Sequence, residues 1–117
     1  MKPSLNHIAI TTSDLVSSKA YWETVFQVER IERPSAGVSS EGVWYKFGDL
    51  DLHILVREKP MNKTDQHFAL EVDDLDELEC RARGMGAMVE AREPLPGFSR
   101  RVYLYDPDDN RVELLQK

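Results

Sequence analysis

The alternation of apolar and polar positions predicts that the chain begins with a strand, a helix and three further strands. Ser13 or Asp14 is placed to cap the helix, which we expect to run to about Phe26. The apolar side of this helix takes in Leu15, Trp22, Val25 and Phe26. The predicted strands are residues 4–11, 28–33, 42–47 and 50–56. Gly48 and Asp49 form the turn between the last two.

The same order of elements is predicted again after the polar connector 58–64. A strand at 66–72 leads into a helix that Asp73 or Asp74 opens. The apolar face of that helix carries Leu75, Leu78, Ala82 and Met85, and strands follow near 87–92, 99–105 and 111–116. We therefore expect an α+β fold of two tandem βαβββ modules in a single domain, residues 1–117. Module one is predicted at about 1–57 and module two at about 65–117.

The two halves also match residue by residue, which indicates a duplicated module. His7 and His67 stand 60 positions apart, each in the first strand of its half. The same offset relates Ala9 to Ala69, Asp14 to Asp74, Leu15 to Leu75, Pro34 to Pro94 and Tyr45 to Tyr105. It also relates the third histidine, His53, to Glu113. Three histidines and one glutamate thus form two repeat-related pairs.

These four side chains are candidates for a metal site. A polar group in an apolar strand must find a partner or suffer a desolvation penalty of about 1–3 kcal/mol. For a single histidine that partner can be a hydrogen bond in the core or at the surface, whereas a metal ion can satisfy all four groups together. Imidazole and carboxylate suit zinc, nickel, cobalt, manganese or iron. We predict one divalent ion per site, held by His7, His53, His67 and Glu113, with His53 the least essential.

Composition narrows the compartment and the partners. The formal net charge of −6 is spread without a basic stripe, so nucleic acid is not expected as a partner. No apolar run is long enough for a membrane span, and the N-terminus lacks a signal peptide's apolar region. Cys80 is the single cysteine, which excludes an internal disulfide and fits a reducing compartment. We expect a cytoplasmic protein.

Several segments together resemble the vicinal oxygen chelate superfamily. They are the strands "LNHIAI" and "DQHFAL", the helix starts "SDL" and "DDLDEL", and the closing "YLYDPDDNRVELLQ". That superfamily includes glyoxalase I, fosfomycin-resistance transferases, extradiol dioxygenases and bleomycin-binding proteins. The resemblance covers nearly the whole chain and implies a cup-shaped mixed sheet around a metal and substrate cavity. In the closing segment Asp109 stands where the family pattern usually has glycine, which predicts strain in that turn.

The resemblance also implies roles for individual residues. His7, His67 and Glu113 match the ligands shared by fosfomycin transferases and extradiol dioxygenases, and His53 matches the position of the fourth ligand in glyoxalase I. Tyr103 matches a tyrosine that hydrogen-bonds substrate in fosfomycin transferases. We expect Glu113 and Tyr103 to act in catalysis.

Three further residues are candidates for substrate binding. Tyr45, Arg101 and Tyr105 lie at plausible neighbouring inward positions of the predicted strands. The alternative for the three tyrosines, Tyr103 included, is ordinary aromatic packing, and for Arg101 it is solvation.

Two functions remain open from the sequence. The first is a glyoxalase I-like, metal-dependent lyase, isomerase or transferase that acts on a small oxygenated substrate by metal-stabilised proton transfer or thiol addition. The second is a small-molecule binding or sequestration protein of the bleomycin-resistance type. Retention of all four candidate ligands favours the enzyme. Classical fosfomycin resistance is not expected, because the segment that brings a phosphonate-binding arginine in those relatives does not follow Glu113.

The family resemblance predicts a particular assembly as well. We expect a homodimer with two sites, each using His7 and His53 from one chain and His67 and Glu113 from the other.

Overall fold

The strands and helices follow one another in the predicted order. The computed structural model describes residues 1–35, 37, 41–59 and 64–117. The first module contains β1 (His7–Thr12), α1 (Leu15–Val25), β2 (Glu29–Ile31), β3 (Gly42–Phe47) and β4 (Leu50–Val56). The second contains β5 (His67–Glu71), α2 (Leu75–Gly84), β6 (Val89–Arg92), β7 (Arg100–Tyr105) and β8 (Arg111–Gln116). The prediction of two βαβββ modules is confirmed.

Both helices begin at the predicted aspartates. The Asp14 carboxylate accepts a hydrogen bond from the backbone N–H of Ser17 at 3.2 Å, and Asp74 accepts one from Glu77 at 3.0 Å. Each aspartate thereby satisfies one of the free N–H groups of a first helical turn. Because the two caps stand 60 positions apart, the duplication extends to the start of each helix.

Each module forms its own four-stranded sheet. The strand orders are β1-β4-β3-β2 and β5-β8-β7-β6, and in each sheet the first strand is parallel to its neighbour while the others are antiparallel. Among the described residues, β1 pairs only with β4 and β5 only with β8, so both first strands are sheet edges. His7 lies opposite Asp51 and His67 opposite Arg111, in the same register. One chain thus contains two separate mixed sheets.

The offset of 60 does not hold through the third strand of each module. Trp44 lies opposite His53, and Tyr103 lies opposite Glu113, so the two aromatic residues correspond at an offset of 59. The cause is the hairpin turn, which has two residues between β3 and β4 but five between β7 and β8. A slip of one residue moves every side chain of a strand to the other face of its sheet. The expected equivalence of Tyr45 and Tyr105 is therefore wrong.

The segment 106–110 joins the two modules. The buried carboxylate of Asp106 accepts a hydrogen bond from Trp22 Nε1 at 3.1 Å, and Asn110 Nδ2 donates to the carbonyl of Thr11 at 2.9 Å. Asp109 has a φ of 65°, the left-handed conformation in which an L-residue without glycine's freedom is strained. The turn thus has the positive φ on which the predicted strain depends, and the strain itself stays a prediction.

The remaining predictions on organisation concern the connector and the membrane. Part of the connector 58–64 lies outside the described residues. In the described ranges, neither helix has the length and apolar character needed to cross a bilayer. The cytoplasmic location stays a prediction from the sequence.

Candidate metal centre

His67 and Glu113 form a ready pair of donor atoms in the second module. They lie on the neighbouring strands β5 and β8, and His67 Nε2 is 3.0 Å from Glu113 Oε1. The other ring nitrogen, Nδ1, donates to the carbonyl oxygen of Asp65 at 2.8 Å and so directs Nε2 toward the glutamate. Two ligands that each lie about 2.1 Å from one ion at a right angle are separated by about 3 Å. The pair therefore fits a divalent ion.

Glu113 is held as a charged carboxylate. Burial by itself raises the pKa of Glu113, but the hydrogen bonds from Arg101 and His67 outweigh burial and bring the pKa below its ordinary value. Arg101 Nε lies 2.6 Å from Glu113 Oε2, on the side away from His67. One carboxylate oxygen thus faces an arginine, and the other faces the imidazole.

His7 and His53 lie together in the first module, in a stack with Trp44. The His7 and His53 rings are 4.1 Å apart between centroids and 17° from parallel. The other face of His53 lies on Trp44, with 3.6 Å between centroids and 2° between planes. His7 Nδ1 donates to Asn6 Oδ1 at 2.9 Å, so His7 Nε2 is the ring nitrogen with a lone pair for a metal ion. Burial lowers the pKa of His53, and the nearby His7 lowers it further.

The two pairs do not meet within one chain. Of the residues that the structure describes, no three His, Cys, Asp or Glu side chains come close enough together to hold one ion. The fold therefore brings the four predicted ligands together as two separate pairs, His7 with His53 and His67 with Glu113. A single centre made of all four stays a prediction that requires a second chain.

Tyr103 and Arg101 both lie beside Glu113, and their roles in catalysis and substrate binding stay predictions. Arg101 Nη2 donates to the Tyr103 hydroxyl at 2.9 Å. Two further arginines, Arg92 and Arg111, lie over the Tyr103 ring at 4.9 and 3.8 Å from its centroid, and Arg101 is at 5.2 Å. Each of the three arginines also forms an ion pair with a carboxylate, so the face around Tyr103 carries both positive and negative groups.

Arg92 and Arg111 were not among the site residues predicted from the sequence. Arg111 stands two positions before Glu113 on β8, and Arg92 pairs with Arg101 across β6 and β7. Alternation does place Arg111 on the face of Glu113, because residues two apart share a face of the sheet, but it does not single out Arg111 as a binding residue. Trp44 was also missed, although a two-residue turn at Gly48 and Asp49 pairs it with His53.

Tyr45 does not lie with the candidate ligands. Tyr45 is fully buried, and its hydroxyl donates to Glu23 Oε2 of α1 at 2.6 Å. It therefore lies on the face of the sheet that does not carry His53. The prediction that Tyr45 is an inward-facing substrate-binding residue is therefore wrong. Tyr45 is part of the aromatic packing of the core.

Tyr105 lies at the end of the face that carries Tyr103. It lines a cavity of about 750 Å³ together with Glu90 and Arg111. Burial raises the pKa of Tyr105, and a hydrogen bond with Glu90 raises it further. Its role in substrate binding stays a prediction.

The chain is similar to known proteins over almost its whole length. Residues 4–114 match the model of the Glyoxalase/Bleomycin resistance protein/Dioxygenase superfamily. The fosfomycin resistance protein FosX of Listeria innocua is 26% identical over 119 residues, covering 97% of this chain and 90% of the relative. The metallothiol transferase FosB of Bacillus licheniformis is 26% identical over 113 residues, covering 94% and 73%.

A solved structure shares the fold. It is a FosX variant from Listeria monocytogenes in complex with Mn(II) and 1S,2S-dihydroxypropylphosphonic acid, with a TM-score of 0.85 and 24% identity. The superposition covers 99% of this chain and 93% of that one.

Proposed function

The chain belongs to the Glyoxalase/Bleomycin resistance protein/Dioxygenase superfamily, and on that basis we propose that it is a metal-dependent enzyme acting on a small, anionic, oxygenated substrate. The observation that carries the proposal is the pair of His67 Nε2 and Glu113 Oε1 at 3.0 Å, with the imidazole oriented from behind by the Asp65 carbonyl. His7 has the matching arrangement in the other module, in which Nδ1 donates to Asn6 Oδ1 and Nε2 carries the lone pair.

We place the complete site between two chains of a homodimer. His7 and His67 lie on β1 and β5, which are sheet edges in the described part of the chain. Sheet edges pair readily with a second chain. A two-fold axis would bring His7 of each chain to His67 and Glu113 of the other and would create two equal sites.

The residues around Glu113 support a particular kind of chemistry. A bound divalent ion would supply Lewis acidity toward the substrate oxygens. The arginine cluster around Tyr103 would hold the anionic group, and the Tyr103 hydroxyl would donate to a substrate oxygen. Arg101 would keep Glu113 deprotonated and able to accept a proton. Opening of an epoxide by a thiol or by water, and isomerisation of a hemithioacetal, both fit these roles.

The first experiment concerns metal and turnover. Protein loaded with manganese, zinc, nickel or cobalt is assayed with phosphonate- or carboxylate-bearing epoxides plus thiol or water, and with the hemithioacetal of methylglyoxal. Manganese comes first because the FosX relative was solved with Mn(II). We expect turnover with at least one metal, and loss of it in His67→Ala. Binding of substrates without turnover would instead favour a sequestration protein.

The second experiment tests the shared site by mixing two inactive chains. In a heterodimer of His7→Ala with Glu113→Gln, an intersubunit arrangement puts both substitutions in one site and leaves the other intact. Random exchange at equal amounts should restore about one quarter of the wild-type sites, since about half of the dimers are mixed and each has one good site. A site within one chain would give no recovery, and light scattering would then report whether the protein is a monomer.

A further inference from the structure

The stack of Trp44, His53 and His7 has a geometry that does not suit two metal ligands. An imidazole binds a metal ion through a lone pair in the plane of its ring, with the ion about 2.0–2.1 Å from the nitrogen. The His7 and His53 rings are only 17° from parallel. Lone pairs that lie in nearly parallel, stacked planes run side by side and do not converge on one ion. One of the two rings would have to turn out of the stack before both could bind.

Of the two rings, His53 is the one that is fixed. It lies between Trp44 and His7, and its side chain is buried. Its Nε2 has no hydrogen-bond partner among the described residues and lies 3.8 Å from the nearest Asp51 oxygen, too far for a hydrogen bond. Rotation of His53 would break its contact with Trp44. Its Nε2 therefore gives the fold no hydrogen bond, whereas both faces of its ring are in contact with another ring.

His7 is the ring that gains from the contact. It is exposed and lies at the beginning of an edge strand, where an unsupported side chain has several rotamers. Fixing such a side chain at a binding site costs conformational entropy, and a preorganised ring avoids this cost. A stacked aromatic contact stabilises one orientation of the ring and so favours one rotamer.

We propose that Trp44 and His53 form an aromatic platform that positions His7 for metal binding, and that His53 is not itself a ligand. The proposal rests on the metal site of the proposed function, in which His7, His67 and Glu113 are the protein ligands. His53 is thus a positioning residue that acts through its ring faces. Its action depends on the shape of the ring and not on the ring nitrogens.

Two substitutions of His53 separate the platform from a ligand. His53→Phe keeps a flat ring and removes both nitrogens, whereas His53→Ala removes the ring. We expect the Mn²⁺ affinity of the Phe variant to stay within about threefold of wild type. The Ala variant should lose about tenfold or more, as is usual when a group that orients a ligand is removed. His67→Ala, which removes a ligand, should lose far more than either.

The platform predicts the same order of effects at Trp44. Trp44→Phe should bind Mn²⁺ nearly as well as wild type, and Trp44→Leu should bind more weakly, because only the former preserves a stacking partner for His53. Folding of each variant is checked by thermal unfolding without metal.

The visible spectrum of the Co²⁺-loaded protein provides a second readout, because its bands report the ligands and geometry around the ion. The spectra of wild type and His53→Phe should coincide. A changed spectrum, or a loss of Mn²⁺ affinity in His53→Phe equal to that in His67→Ala, would show that His53 is a ligand and would overturn the platform alone. Absence of Mn²⁺ and Co²⁺ binding by the wild-type dimer would overturn the proposed function, and the platform with it.

Discussion

Asp106 connects the two modules, and its replacement by alanine is a direct test of what holds them together. One carboxylate oxygen accepts hydrogen bonds from Trp22 Nε1 at 3.1 Å and from Asn110 Nδ2 at 2.8 Å. The other accepts from the backbone N–H groups of Asp108 at 2.9 Å and Asn110 at 2.8 Å. Asp106, Trp22 and Asn110 are all buried. Asp106→Ala would leave several of these donors without an acceptor.

The size of the loss follows from two opposing effects. Each buried donor left unsatisfied costs about 1–3 kcal/mol, and the Trp22 and Asn110 donors lie where water has little access. Burial raises the pKa of Asp106, so the charged carboxylate is itself costly there and its removal returns part of the loss. We expect a net loss of about 3 kcal/mol in the free energy of unfolding. At about 4 °C per kcal/mol for a chain of this size, the Tm should fall by about 12 °C.

The assay is urea and thermal unfolding of Asp106→Ala beside Asp73→Ala, an exposed carboxylate before α2 that should change stability by under about 0.5 kcal/mol. A double-mutant cycle with Trp22→Phe isolates the hydrogen bond between the modules and should give a coupling of about 1 kcal/mol or more. A loss below about 1 kcal/mol in Asp106→Ala, or no coupling to Trp22, would refute the reasoning.

Three other predictions follow from the turn, the ion pair and the metal. Asp109→Gly should raise the free energy of unfolding by up to about 1 kcal/mol, because glycine adopts a φ of 65° without strain. Asp49→Gly is the control. If Asp109→Gly is no more stable than wild type in urea unfolding, the strain is contradicted. Arg101→Gln should raise the pKa of Glu113 in the folded protein. In wild type this pKa is lowered on folding, so the ionised carboxylate stabilises the fold at pH values above the unfolded-state pKa. That stabilisation is lost on acidification. The variant should therefore be less stable at neutral pH and approach wild type in acid, whereas a gap independent of pH would count against this. Mn²⁺ at a concentration of a hundred times its Kd should raise the free energy of unfolding of wild type by about 2.7 kcal/mol and leave that of His67→Ala unchanged. An equal increase in both proteins would show that the ion binds elsewhere.

The sequence determined the elements of this protein because their signals are local. Alternation predicted β3, β4 and β8 with the bounds that the structure has. Asp14 and Asp74 were identifiable as caps because a helix start needs an acceptor within three residues of its free N–H groups. The duplication paired His67 with His7 and Glu113 with His53 from their spacing alone. The candidate donors could therefore be named before any fold was known.

The tertiary structure decided which side chains meet, because contacts across a sheet depend on register and not on residue type. Two residues in one hairpin turn and five in the other put Trp44 beside His53 and Tyr45 on the opposite face. No local pattern indicated that the His53 ring is held between two others, since that contact depends on neighbours across two strands. Nor could it show that the four donors divide between two separate sheets, because spacing along a chain does not define how its modules pack.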